Sequence, residues 1–278
     1  MPDKLIDIAQ FPERIKKAGN FWKYLTPEFD NYLQDYLLAF EDYRNQINII
    51  PPSEEDWKLL PFGSFANDSS WKWRRESLAI ISKLIGNKHF GCTLEIGSWN
   101  GWLTKTLAQH ADVVIANDYF VRPFDGIGNI TLLAQNIIPV QCNVDTIQSD
   151  FKPGSFDLIV LNHNLSYMNN PAEYIKGLMP LLQPDGIIIS LGNTFFKNPQ
   201  QKIKTNENFR QSFRDQYNRD LYIQPVKGFL DESDKKLLTD SKFKVLPYPN
   251  KSIQNLYSFL NPKAPYYCYL IYKNNPNN

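Results

Sequence analysis

Between residues 92 and 191 the chain repeats one pattern, in which a short apolar run is followed by a polar stretch and then by helix-like spacing. The runs fall at 92–97 (CTLEIG), 112–117 (DVVIAN), 138–143 (IPVQCN), 156–162 (FDLIVLN) and 186–191 (GIIISL). A strand with one wet face alternates apolar and polar residues, whereas near-continuous Val, Ile and Leu mark a strand buried on both faces. Helices near 101–110, 125–136 and 171–182 fill the intervals, and strands alternating with helices build a mostly parallel sheet with helices on both sides. The last of these helices is marked by Asn170 as its cap, Pro171 at its first position and Glu173 completing a capping box. Beyond it, 231–240 reads as a helix and 242–249 and 266–273 as two more strands. The second is joined by a loop, which predicts an antiparallel strand at the sheet end.

The first 90 residues have a different texture. Phe29, Tyr32, Leu33, Tyr36, Leu37 and Phe40 recur on one helix face, with Thr26 as cap and Pro27 at the first position. Residues 49–70, rich in Pro, Ser and Asp, predict loop. A helix then runs over 71–86, with Leu78, Ile81, Leu84 and Ile85 inward and Gly86 as its stop. The expected division is a helical N-terminal cap over 1–70 and an α/β domain over 71–278. Within that domain, 193–230 forms a helical lid inserted after the fifth strand. Phe209, Phe213 and Tyr217 give the insert an apolar stripe for the core; Arg210 and Arg214 beside it would otherwise face an anionic substrate. The N-terminal aromatics Phe21, Trp22, Tyr24, Tyr32 and Tyr36 read as core, or else as the rim of an acceptor pocket.

Thirty basic residues nearly balance twenty-nine acidic ones, which argues against nucleic acid or an anionic membrane as a partner. Cys92, Cys142 and Cys268 form no CxxC pair, and the simplest setting is a reducing cytoplasm. His89, His110 and His163 lack ligand spacing, so no metal site is expected. The N-terminal stretch carries charges throughout and is not read as a secretory signal. No run approaches the roughly 20 apolar residues of a membrane span. The terminal KNNPNN reads as a frayed tail.

The chemistry gathers where the apolar runs end. The first run leads into Glu95, Gly97, Ser98, Trp99, Asn100 and Gly101. Glycines there permit a sharp turn and close backbone approach, and a following helix start offers free N–H groups to an anion. An acid beside them suits an ammonium, so the turn fits a zwitterionic amino-acid tail better than a phosphate; an ordinary strand-to-helix turn is the simpler alternative. Asp118 ends the second run, followed by Tyr119, at the position where an acid accepts ribose hydroxyls in such folds. Asn143 and Asp145 close the third, placed for an exocyclic amine or for simple Asx turns. Asn162 and His163 close the fourth, where open α/β sheets bind ligands.

Taken together these runs resemble the class I S-adenosylmethionine-dependent methyltransferases over about residues 75–273. LEIGSWNG is similar to their first glycine motif, VDTIQSDFKPGSFDLIV to the stretch from an adenine-contacting acid into the fourth strand, and LMPLLQPDGIIIS to their turn into strand five. The helical N-terminal segment with WKWRRES and the long insert resemble an uncharacterised bacterial branch. The resemblance implies a Rossmann-like, mostly parallel seven-stranded sheet with an antiparallel edge strand, and S-adenosyl-L-methionine as cofactor. By position, Glu95, Gly97 and Gly101 would hold its methionine part, Asp118 the ribose, Asp145 and the Val144 N–H the adenine, and Asn162 the floor beneath the sulfonium. Of Arg74 and Arg75, on the helix before the motif, one would pair with the cofactor carboxylate; otherwise they form a solvated face. His163 and Tyr167 are the candidates for a general base, needed where the acceptor is a hydroxyl or ammonium. Three positions depart from the family: Trp99 stands for its middle glycine, Asp185 for a later one, and Ser166 where relatives carry histidine. The expected activity is methyl transfer to a small molecule's oxygen, nitrogen or carbon, by a monomer or homodimer, with neither nucleic acid nor membrane as partner. The alternatives are a non-catalytic protein that retains the fold and binds the cofactor, and a dehydrogenase, whose fingerprint wants a third glycine.

Overall fold

The structure, a computed structural model, describes residues 2–47 and 49–274; the last four residues of the expected frayed tail lie outside the described residues. Helix α1 (Pro2–Ile8) leads to a hairpin of β1 (Ile15–Ala18) and β2 (Phe21–Tyr24), then α2 (Pro27–Gln46), α3 (Glu54–Leu59) and α4 (Ser69–Ile85). Next come β3 (Phe90–Ile96), α5 (Thr104–Ala108), β4 (Ala111–Asn117), β5 (Ile137–Cys142), α6 (Ile147–Asp150), β6 (Phe156–Asn162), α7 (Pro171–Gly177) and β7 (Leu182–Phe196). The chain finishes with α8 (Gln200–Tyr217), β8 (Leu230–Asp231), α9 (Glu232–Asp240), β9 (Lys244–Pro247), α10 (Ser252–Leu260) and β10 (Tyr266–Lys273).

One ten-stranded sheet runs in the order β1-β2-β5-β4-β3-β6-β7-β10-β9, with β8 paired to the end of β7. From β5 to β7 every pairing is parallel. Both faces are covered, as the apolar runs require: in β6, Ile159 and Leu161 enter one hydrophobic cluster while Leu158 and Val160 enter the other. The chain leaves β3 toward β4 and β5, then returns to β6 on the opposite side of β3. That reversal opens a crevice at the C-terminal ends of β3 and β6, where such sheets bind ligands.

Several elements differ from expectation. The sheet exceeds seven strands because the N-terminal segment is not all helical. Phe21, Trp22 and Tyr24 belong to β2, which pairs in parallel with β5. The antiparallel strand β10 is not at the edge, since β9 pairs outside it. Its pairing with β7 extends to Phe195, so β7 runs to Phe196 and takes up the first residues assigned to the insert. A short helix, α3, interrupts the expected loop, capped by the Ser53 hydroxyl. The helix expected over 125–136 is instead a 3-10 helix at Ile127–Leu132. Gly126 and Gly128 lie directly against the backbone of Phe120 and Val121, where a side chain has no room. No capping box forms at Asn170, whose side chain makes no cap bond, while Glu173 pairs with Lys176 one turn on. Thr26 does cap α2, accepting from the Phe29 N–H. A further helix, α10, lies between the last two strands, where a loop is expected.

The hairpin is pinned by Tyr24, 2% exposed. Its hydroxyl donates to the Asp150 carbonyl at 2.5 Å and accepts from the Phe11 N–H at 3.0 Å. Removing it leaves the half-buried Phe11 N–H without this partner and takes one of two bonds from the Asp150 carbonyl, which keeps the Gln10 N–H at 2.7 Å. Tyr24→Phe is therefore expected to lower stability by about 1–3 kcal/mol in urea denaturation, with the circular dichroism spectrum unchanged.

Candidate functional site

Five loops meet at the C-terminal ends of β3 to β7, and the turn after β3 is at their centre. Its shape depends on left-handed backbone at Gly97 (φ 70°), Trp99 (φ 49°) and Gly101 (φ 78°). The glycines serve packing more than ligand approach. A side chain at Gly97 would run into Asn164, whose amide donates to the Ile96 carbonyl. One at Gly101 would lie 2.7 Å from Ile130. Ser98 ties the end of β3 to β4 through the Asn117 carbonyl, by its N–H at 2.8 Å and its hydroxyl at 3.1 Å. The helix after the turn opens at Thr104, three residues later than expected.

Trp99 is held at both ends. Its N–H donates to Asp118 Oδ2 at 2.6 Å, and its indole donates to Asp125 Oδ1 at 2.8 Å. Arg44 of α2 pairs with that same Asp125, and the Arg44 and Arg74 guanidinium groups stand 5.4 and 5.3 Å from the Trp99 ring. Trp71 of α4 stacks against Trp99 at 5.6 Å. The indole of Trp57, on α3, donates to the Asn100 carbonyl at 2.7 Å. The first 90 residues thus grip the turn through three helices. Arg44, Asp125, Trp57 and Thr104 are absent from the sequence-level candidates because no local spacing ties them to the motif.

Two acids are buried beneath. Glu95, 2% exposed, accepts from the Thr104 hydroxyl at 2.5 Å. Burial, and to a lesser extent the Asp118 charge, push its pKa up to about 8, so it holds a proton at neutral pH. The expected ammonium contact at Glu95 is therefore displaced: the carboxyl sits under the turn with a hydroxyl as its partner. Asp118 accepts from the Trp99 and Phe120 N–H groups, one on each oxygen. Burial lifts it to about 6, against the pull of those bonds and of Arg44. Each oxygen retains a lone pair for a ligand hydroxyl.

The neighbouring loop is internally bonded. Tyr119 donates its hydroxyl to Asn143 Oδ1 and accepts the Val144 N–H, both at 3.0 Å. The Val144 N–H expected to face an adenine is thus taken. Asp145 is exposed and its N–H is bonded to Asn143. Its carboxylate accepts no hydrogen bond among the described residues. An open groove bounded by Gln148, Asn170, Tyr174 and Gln224 lies beside it.

His163 and Tyr167 part company. The His163 ring packs edge-on to Trp73 at 4.4 Å and against Gly192, with Ser77 Oγ 3.3 Å from Nε2. Burial, then the Arg74 charge, lower its pKa to about 3. An imidazole of such low basicity cannot draw a proton from an acceptor near neutral pH, and the base role expected of His163 gives way to packing. Tyr167 stands half-exposed on the loop after β6, 5.9 Å from Tyr222 of the returning insert.

In the insert, Phe213 is buried against Phe40 and Tyr43 of α2, while Phe209 is exposed. Arg210 and Arg214 both pair with Asp220, so neither is free for an anionic substrate.

The strand order decides the fold, and one family model matches part of the chain. From β5 to β9 the order, with a single antiparallel strand next to last, is that of the class I methyltransferases, and residues 94–190 match the family model described as "Methyltransferase domain". The chain has the Rossmann-like fold of the class I methyltransferases, and the matched stretch covers about a third of it. No curated protein matches it. Among solved structures, the YcgJ protein of Bacillus subtilis shares 13% identity over 71% of this chain and 97% of its own, with a TM-score of 0.48. The N-methyltransferase NodS of Bradyrhizobium japonicum shares 17%, over 75% of this chain and 99% of its own, with a TM-score of 0.44. A 1,6-didemethyltoxoflavin-N1-methyltransferase of Burkholderia thailandensis shares 15% over 89% of each, with a TM-score of 0.48.

Methyltransferases of this class use S-adenosylmethionine, and several buried polar groups at the strand ends lack a partner among the described residues. Asn100 is fully buried with both side-chain amide atoms unpartnered, and Asn162 Oδ1 and Asn164 Oδ1 are likewise buried and unpartnered. Buried amides left alone are costly, so their concentration at the strand ends fits a polar ligand there.

The two acids give this site a measurable signature. Glu95 holds its proton in the native state up to about pH 8 but releases it near 4.5 when unfolded. The native state thus binds more protons in between, and stability falls as pH rises across that window. Glu95→Gln should remove the Glu95 share of that slope, leaving the Asp118 share below about pH 6. Its stability relative to the natural protein is expected to rise by roughly 1–4 kcal/mol between pH 5 and 8, read from urea midpoints.

Proposed function

We propose that the chain transfers a methyl group from S-adenosylmethionine to the oxygen, nitrogen or carbon of a small molecule. The observation that carries this reading is Asp118: a buried carboxylate one residue past β4, beside the switch point, with one lone pair left on each oxygen. That arrangement suits a pair of vicinal ribose hydroxyls. When bound, the cofactor supplies a methyl group on a sulfonium, open to in-line displacement.

The chain's own residues align and desolvate. Arg74 has no carboxylate within 4 Å among the described residues, lies over Trp99, and is the cation available to the cofactor carboxylate. Asp145, with a free carboxylate beside an open groove, is assigned the adenine amine in place of the Val144 N–H. Asn100 and Asn162 offer unpartnered amides to the amino-acid part and to the floor. Glu95 acts from below, fixing the turn through Thr104. Tyr167 and Tyr222 form the acceptor rim. Aromatic walls and the gripping helices exclude water, and positioning of this kind supplies much of the rate in methyl transfer. A small acceptor is favoured because α2 and α8 pack together over the ligand end, narrowing the approach.

Calorimetric titration with S-adenosylmethionine and S-adenosylhomocysteine tests the assignment, with NAD as control. Binding of both sulfur compounds is expected, weakened about tenfold or more in Asp118→Ala while the melting curve stays cooperative. The affinity should also fall as pH drops below about 6, because a protonated Asp118 gives up part of its acceptor capacity. Failure of the folded protein to bind either compound would remove the enzymatic reading.

A further inference from the structure

Helix α10 is built inside out. Its polar residues Asn255 and Ser258 are buried, at 5% and 4% exposure. Ile253, Leu256, Tyr257 and Leu260, spaced i, i+3, i+4 and i+7, form a stripe that faces solvent, with Ile253 at 82% and Leu260 at 80%. Phe259 is exposed beside them. The orientation is enforced rather than slack. The Asn255 amide donates to the Tyr267 carbonyl at 2.9 Å and accepts from the Tyr267 N–H at 2.7 Å, bracketing the start of β10. Ser258 closes back on the Asn255 carbonyl at 2.7 Å. Rotating the stripe inward would break these buried bonds.

The overall charge balance argues against an anionic membrane, but the segment carrying the stripe has charge of one sign, with Lys251 and Lys263 flanking the helix and Lys244 and Lys273 toward the far end of β10. Between Ser241 and Asn274 there are five lysines and no aspartate or glutamate, in a chain whose net charge is +1. Lys263 follows the helix, and Lys197 reaches over the Phe259 ring at 5.0 Å; neither has a carboxylate within 4 Å among the described residues. Lys251, at the helix start, faces Glu76 at 3.7 Å, and Lys235, over the Tyr266 ring, faces Glu232 at 4.0 Å.

We propose that α10 docks the protein onto an anionic lipid surface, its apolar stripe entering the interface and Lys197 and Lys263 meeting the headgroups. Among the described residues no helix is long and apolar enough to cross a membrane, and a nine-residue helix with an apolar stripe and flanking lysines suits lying in the interface instead. A second copy of the chain fits less well. An isologous pairing would bring each lysine toward its own copy, with no acid in this segment to answer it. Lys197 follows the C-terminal end of β7, and β10 starts opposite Phe195. Docking through α10 therefore turns the ligand end of the sheet toward the lipid. The inference stands independently of methyl transfer.

Cosedimentation with vesicles tests it, using phosphatidylcholine alone and phosphatidylcholine with about a third phosphatidylserine. The protein is expected to sediment with the anionic vesicles, and less so as salt is raised. The triple variant Ile253→Ser, Leu256→Ser, Leu260→Ser should lose about tenfold or more in vesicle affinity, with an unchanged melting curve because each side chain is exposed. Lys197→Ala with Lys263→Ala should lose several-fold on anionic vesicles only. No sedimentation with either vesicle would overturn the proposal, as would unchanged binding by the triple variant. So would a dimer in sedimentation velocity that the triple variant converts to monomer while neither protein binds lipid.

Discussion

Two carboxyl groups are buried one strand apart at the ligand end, and the geometry there follows from how each is satisfied. An unpaired carboxylate in a dry interior is costly, so each must either neutralise or gather donors. Glu95 neutralises: with one hydroxyl as partner, its pKa rises to about 8. Asp118 gathers donors, drawing the backbone of Trp99 and Phe120 onto its two oxygens. In doing so it sets the path of the chain on both sides of the crevice. The turn after β3 is thus shaped from the end of β4, and a ligand bonded to Asp118 would sense both.

The N-terminal 90 residues belong to the same mechanical unit. Asp125 receives the Trp99 indole and the Arg44 guanidinium together, so α2 is linked to the turn through a buried ion pair that breaks badly if either partner is lost. Trp57 reaches the next residue of the turn through the Asn100 carbonyl. A tryptophan in the left-handed region is a strained choice. Here its N–H, its indole N–H and its ring have partners, which offsets that strain. The bulky residue in place of the family's middle glycine is what gives the N-terminal helices something to hold.

The parallel sheet was legible because strands buried on both faces leave long apolar runs, and β6 and β10 begin and end where the sequence predicts. Acids and amides at the strand ends were legible for a related reason: the switch point recurs in every such fold, so position implies placement. Elements whose conformation is set by distant contacts were not. The hairpin of β1 and β2 gains its order from β5 and from Asp150, which lies 126 residues from Tyr24. The 3-10 helix at Ile127–Leu132 is dictated by backbone packed against two glycines. Helix α10 defeats hydrophobic periodicity altogether, since its apolar face points outward and only the Asn255 bonds to Tyr267 reveal why. His163 illustrates the limit for chemistry: its place at a strand end is read from the sequence, but its burial against Trp73 and Gly192 and the nearby Arg74 charge, which lower its basicity, are not.

The glycines of the turn carry a wider lesson about reading motifs. Gly97 and Gly101 lie in the turn after β3, yet the space each leaves open is filled by protein: Asn164 from the loop after β6, and Ile130 and Leu133 from the 3-10 segment. Close approach of the neighbouring loop is what brings the Asn164 amide to Ile96 and draws the ends of β3 and β6 together. The small glycines therefore let the loop after β6 and the 3-10 segment pack tightly against the turn. A methyl added at Gly101 would act through Ile130 and Leu133, loosening the wall from behind, and a change at Gly97 would act through Asn164. Each glycine governs the ligand by governing the distance between two loops.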